Sequence, residues 1–217
     1  MKPNPPTRSQ MKRAMSVTLL LATMGWACGE APDPPTQEAP PVPPGVSGRA
    51  PTTAQGLPSV VTLHPSPGRP ADMPPEETIM DQLGLAFMPT QLLVRVGQPV
   101  VFTNSESLAH NVHVAFIDTD STIFLADMDP NERTQIVLDA EGGYDVTCDV
   151  HPGMRAFIYV TTAPHATFAD PDGGFSIPDV PPGSYIASVW SASMDLRGQR
   201  TVQVSGPSTV LDLSILQ

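Results

Sequence analysis

The run Cys148-Asp149-Val150-His151-Pro152-Gly153-Met154 places a thiol, an imidazole and a thioether within seven residues. These are ligands for copper. A cysteine sulfur bonds the metal strongly and covalently, imidazole binds both oxidation states, and a weak, long methionine contact tunes the potential without dictating geometry. With one more imidazole, such a set suits the exchange of single electrons with little movement. Two upstream histidines, His110 and His113, lie in the segment Phe102–His113, and His110 is the better candidate. Each residue also has a plainer reading. Tyr144, Val146 and Cys148 fall on one face of a predicted strand, where Cys148 would be a small buried hydrophobe. Met154 alone would be core filler and His113 a surface or packing histidine. His64 and His165 sit beside prolines in expected loops and do not look like ligands.

The stretch Gln98-Pro99-Val100-Val101-Phe102-Thr103-Asn104, followed by His110-Asn111-Val112, resembles the first-ligand region of cupredoxins, above all the plastocyanin-like branch. The resemblance runs from about Asp72 to Thr162. It implies one mononuclear copper held by His110, Cys148 and His151, with Met154 as the weak axial contact. It also implies that Asn111 hydrogen-bonds near the cysteine loop and orients the site, and it gives His113 no role. One departure stands out. Plastocyanin-like loops carry the methionine five residues after the ligand histidine, whereas Met154 follows His151 by three. That interval is also found at the dinuclear copper site of cytochrome oxidase, which needs a second cysteine in the loop, and this loop has none.

The elements that must position these residues read as β throughout. Leu92, Val94 and Val96 alternate with Leu93 and Arg95; His110, Val112 and Val114 share a face; Ile136 and Leu138 precede an expected turn at Gly142-Gly143. Short strands separated by Gly, Pro, Asn and Asp fit a Greek-key sandwich over 72–162. From 163 to 217 a second unit begins. Thr167 to Ile177, with its Asp170-Pro171-Asp172-Gly173-Gly174 core, and Val180-Pro181-Pro182-Gly183-Ser184-Tyr185 resemble the carboxypeptidase regulatory-like, transthyretin-like sandwich family. Tyr185, Ala187 and Val189, and then Leu211, Leu213 and Ile215, supply its expected inward faces. The Asp-Gly step is a hairpin signal rather than a calcium loop, since the remaining oxygen ligands are missing. About 55 residues are few for an independent core, so this unit is expected to share the strand Ala156–Val160 or to pack against it. It carries no catalytic motif.

The first residues speak of compartment. Lys2, Arg8, Lys12 and Arg13 precede an apolar run from Ala14 to Ala27, the pattern of a signal peptide over 1–27. Cys28 would then be the lipidated first residue of a bacterial lipoprotein, with ordinary cleavage after Ala27 as the alternative. Residues 29 to 75 hold 14 of the 27 prolines, and 28–71 reads as a disordered tether. With Cys28 lipidated, Cys148 is the one thiol left in an oxidising compartment; copper ligation gives it a use.

Past Ala27 the chain keeps all 22 acidic residues and 7 of its 11 basic ones, none of them lysine, so its net charge is near −15. Nucleic acid is an improbable partner for such a surface. Redox proteins with a basic docking patch fit better, although acidity also simply keeps an exported protein soluble. The fold expected is thus all-β: a cupredoxin sandwich with a smaller C-terminal sandwich behind a leader. The function expected is one-electron transfer without enzymatic turnover, at the periplasmic or cell-surface side of a membrane. The alternatives are a copper-delivery module and a metal-free adhesion module.

Overall fold

The computed structural model describes residues 45–53, 57–68, 76–192 and 197–216, and among them alternating apolar residues, punctuated by glycine and proline, become sixteen strands and no helix. The expected signal peptide, Cys28 and the start of the expected tether lie outside the described residues. In chain order the strands are β1 (Gly45–Arg49), β2 (Val60–Pro65), β3 (Thr78–Gln82), β4 (Phe87–Met88), β5 (Gln91–Arg95), β6 (Pro99–Asn104), β7 (His110–Phe116), β8 (Ser121–Met128), β9 (Arg133–Val137), β10 (Gly142–Thr147), β11 (Arg155–Thr161), β12 (His165–Phe168), β13 (Gly174–Pro178), β14 (Gly183–Trp190), β15 (Arg197–Val204) and β16 (Ser208–Asp212).

Strands β3 to β11 make one sandwich. Its sheets run β5-β11-β10-β7-β8 and β4-β3-β6-β9, with β5 parallel to β11 and β3 parallel to β6. The expected inward faces are the buried ones: Leu92 and Val94, Val112 and Val114, and Tyr144, Val146 and Cys148 join Met80, Phe87, Phe102 and Ile158 in one core. The period-2 pattern decides this, because every second side chain of a strand meets the same face.

The second sandwich pairs the sheets β13-β1-β16 and β12-β2-β14-β15. Two of its inner strands, β1 and β2, come from the stretch expected to be an unfolded tether, so that expectation fails for 45–49 and 60–65. Proline density misled because it averages over the segment. Val46, Val60, Val61 and Leu63 are buried, while Pro51, Pro58 and Pro65 stand between the strands or at their ends, where a missing N–H costs little. These strands also explain how a unit that seemed too short closes its core. β2 pairs with β12, so the whole first sandwich is an insertion between two neighbouring strands of the second. The Asp170–Gly174 turn joins β12 to β13, which lie in different sheets, so it is a tight turn but not a two-stranded hairpin. Ile215 lies beyond β16 and is exposed.

The sandwiches meet along β11. Ala156, Ile158 and Val160 face the first core, while Phe157 and Tyr159 pack with Val60 and Trp190. The strand is therefore packed against rather than shared. Tyr159 and Trp190 approach to 4.8 Å between ring centroids. Trp190 lies over Gly143, where an added Cβ would come within 2.5 Å of the indole; the glycine pair expected at a turn instead opens β10. Asp118 pairs with Arg197 at 2.5 Å and Glu141 with His64 at 3.3 Å. Arg95 donates to the carbonyls of Ala163 and Pro164. Burial alone would raise the Glu141 pKa, but hydrogen bonds from His64, Thr162 and Thr161 outweigh it and bring it to about 2.

Candidate metal centre

Cys148 follows the last residue of β10 and Met154 precedes the first residue of β11, so the cysteine loop joins two antiparallel neighbours. The N–H of Cys148 donates to the Met154 carbonyl (3.2 Å), and that of Met154 donates to the His151 carbonyl (3.2 Å). His151 to Met154 is therefore a four-residue turn with Pro152 and Gly153 at its centre. Gly153 has φ 103°, a conformation that glycine adopts without steric cost. The short His-x-x-Met interval is the length of that turn.

His110 opens β7, beside β10 in the same sheet. The preceding loop is shaped by Asn104, which is buried: its amide donates to the carbonyls of Leu108 (2.8 Å) and Met128 (3.0 Å) and accepts from the N–H of Glu106 (3.0 Å). Glu106 reaches back to His110, with its Oε2 2.8 Å from Nε2. A carboxylate can only accept, so Nε2 carries the proton and Nδ1 presents its lone pair on the other side of the ring. The second oxygen of Glu106 accepts from the N–H of Leu85 (2.7 Å). That backbone donor first, and His110 next, hold the Glu106 carboxyl below the usual carboxylate range against the opposing effect of burial.

The free nitrogen of His110 points at the cysteine loop. Its Nδ1 lies 3.0 Å from Nδ1 of His151, and each nitrogen lies 3.8 Å from Sγ of Cys148. A triangle with those sides has a circumradius of about 2.1 Å, within the range of metal–nitrogen and metal–sulfur bonds, about 2.0–2.3 Å. A single ion therefore fits between the three atoms, and two imidazoles with one thiolate suit copper. His110, Cys148 and His151 form the one such cluster among the described residues. Cys148 and His110 are buried, and His151 is partly exposed. The structure buries Met154 in the same core as Cys148. Cys28 is outside the described residues.

Asn111 hydrogen-bonds to the cysteine loop at Asp149. Its Oδ1 accepts from the N–H of Asp149 (2.7 Å) and its Nδ2 donates to the Asp149 carboxylate (3.0 Å). Its backbone carbonyl accepts from the buried amide of Gln82 (3.0 Å), a bond between the two sheets. Glu106, Asn104 and Gln82 were not singled out from the sequence. Spacing gives no rule for a loop carboxylate that folds back onto a histidine; its position four residues before His110 was the one available signal.

Residues 76–161 match the sequence profile of the copper-binding proteins of the plastocyanin/azurin family. The chain is similar to chloroplastic plastocyanin of Pisum sativum, 36% identical over 88 residues that cover 36% of this chain and 52% of that protein. It is 33% identical over 82 residues to plastocyanin of Ginkgo biloba, covering 32% of this chain and 80% of that one. With amicyanin of Paracoccus denitrificans it shares 28% over 96 residues, 44% of this chain and 73% of that one. The chain thus spans about half the length of the pea protein.

Proposed function

We propose that this chain, which belongs to the plastocyanin/azurin family of copper-binding proteins, is an exported one-electron carrier with a single type 1 copper. The observation that carries this reading is the convergence of Cys148 Sγ and the two Nδ1 atoms of His110 and His151 around one point. His110, Cys148 and His151 would hold the copper, and Met154, buried in the same core as Cys148, would serve as a weaker fourth donor. When bound, the metal provides a one-electron Cu(II)/Cu(I) couple.

The protein's part is to hold the donors still. Glu106 fixes the ring of His110, Asn111 fixes the backbone at Asp149, and the turn at Pro152-Gly153 fixes His151 relative to Met154. Donors held in place from both sheets need little rearrangement when the charge at their centre changes. Cys148 and His110 are shut off from water, so His151 is the ligand nearest to solvent and the route by which an electron enters and leaves. Leu108 and Val150, close to His110 and His151 in sequence, and Leu85, bonded to Glu106, are about half exposed or more. They offer an apolar landing place. Residues 76–161 hold 13 of the 22 acidic residues against Arg95, Arg133 and Arg155, which favours a redox partner with a basic patch.

Burial of two of the three ligands weighs against a delivery module, whose metal must exchange. With four protein donors no position is left for substrate, so the chain is a carrier and not an enzyme. The signal pattern of residues 1–27 supports export, with lipid on Cys28 as the anchor. The second sandwich, read as carboxypeptidase regulatory-like, holds the copper sandwich by both ends of an insertion and serves as its mount. Anaerobic titration of the copper-loaded protein tests this reading. One reducing equivalent per chain should bleach an intense visible band, and an oxidant should restore it; copper lost to a chelator without such a band would point to delivery instead.

A further inference from the structure

Asp149, the residue after Cys148, is held by β7 at its N–H and at both carboxylate oxygens. Asn111 takes its N–H and one carboxylate oxygen; the other oxygen lies 3.1 Å from Nδ1 of His113. Since the carboxylate is an acceptor, Nδ1–H of His113 is the donor. That leaves Nε2 of a neutral ring as an acceptor, and Oγ1 of Thr122 on β8 stands 2.8 Å from it.

The backbone is built to allow this. β7 and β8 pair as His113 with Leu125, Val114 with Phe124, and then Ala115 with Thr122, so Ile123 has no partner and the register shifts. In regular pairing Leu125 and Ile123 would share the outer face with His113, and Thr122 would point inward. The bulge turns the Thr122 hydroxyl to the outer face, where His113 lies. The side chain of Asp149 is 50% exposed and that of His113 28%. A carboxylate so open to water has no need of this grip for its own solvation.

We propose that His113 is a positioning residue of the copper centre: anchored by Thr122, it holds Asp149 and thereby the loop that carries Cys148 and His151. The proposal rests on the copper reading above. Outward-facing Asn111 and His113 thus fix the loop to the strand that also supplies His110, so one strand sets both sides of the site.

The test compares the full chain with His113→Val, Asp149→Ala and the double variant. In copper-free protein, amide exchange at Val150 and His151 should be faster in both single variants. In copper-loaded protein, release to a chelator should speed up about tenfold. The double variant should be no worse than the more affected single one, because His113 acts through Asp149. Thr122→Val reads the same chain from its far end, with a smaller acceleration, and serves where His113→Val does not fold. Wild-type exchange and release rates in the His113 variant, or effects of the two substitutions that add in full, would overturn the proposal. Failure of wild-type protein to take up copper would count against the copper reading alone, since exchange in the copper-free protein still decides the role of His113.

Discussion

Glu106 shows how much of the centre depends on a residue that ligates nothing. Its two oxygens serve His110 Nε2 and the N–H of Leu85, so the ligand ring and the neighbouring loop are oriented by one carboxylate. Glu106→Gln keeps the shape but has one acceptor oxygen for two donors and no charge. Copper affinity should fall about tenfold and the reduction potential should rise, because a negative charge that favours Cu(II) is gone. Competition with a chelator and voltammetry measure both, and an unchanged potential would remove Glu106 from the account. The meeting of His110, Cys148 and His151 was legible in the sequence, because Cys-x-x-His and His-Asn are local spacings. Glu106, Gln82 and the His113–Asp149 pair were not, because each acts across a loop or between sheets, and no spacing rule encodes such a meeting.

At the scale of elements, alternation located the inward faces of β5, β7, β9 and β10 in the copper sandwich, and the residues named there are buried except Val96, which is partly buried against the core. Composition failed where it was averaged. β1 and β2 were hidden among prolines that flank them, and their partners β13, β16, β12 and β14 lie more than a hundred residues along the chain. Gly143 was hidden in another way: its pair with Gly142 reads as a turn, yet it opens a strand because Trp190 needs the space. Gly143→Ala should therefore cost about 1–3 kcal/mol through overpacking. It should lower the melting temperature and leave the copper spectrum unchanged, since Gly143 lies near the start of β10 and Cys148 just beyond its far end. Calorimetry of the variant checks the first, absorption the second.

Across the whole molecule, the copper sandwich is an insertion whose two ends enter adjacent strands of the second sandwich, and polar clamps close the junction. Glu141 makes its clamp sensitive to acid. Its folded pKa of about 2 lies below its ordinary value of 4.5, so the stability it contributes is complete above about pH 4.5 and is lost as the pH falls toward 2. The stability gap between wild type and Glu141→Gln should therefore be full at neutral pH and close through that window; a gap constant from pH 6 to 2 would exclude this role. The proposed function, however, depends on one ion between His110, Cys148 and His151. X-ray absorption at the copper edge of loaded protein tests this most directly. The account predicts a shell of one short sulfur and two nitrogens, with the sulfur lost in Cys148→Ser; a wild-type shell without that short sulfur would contradict it.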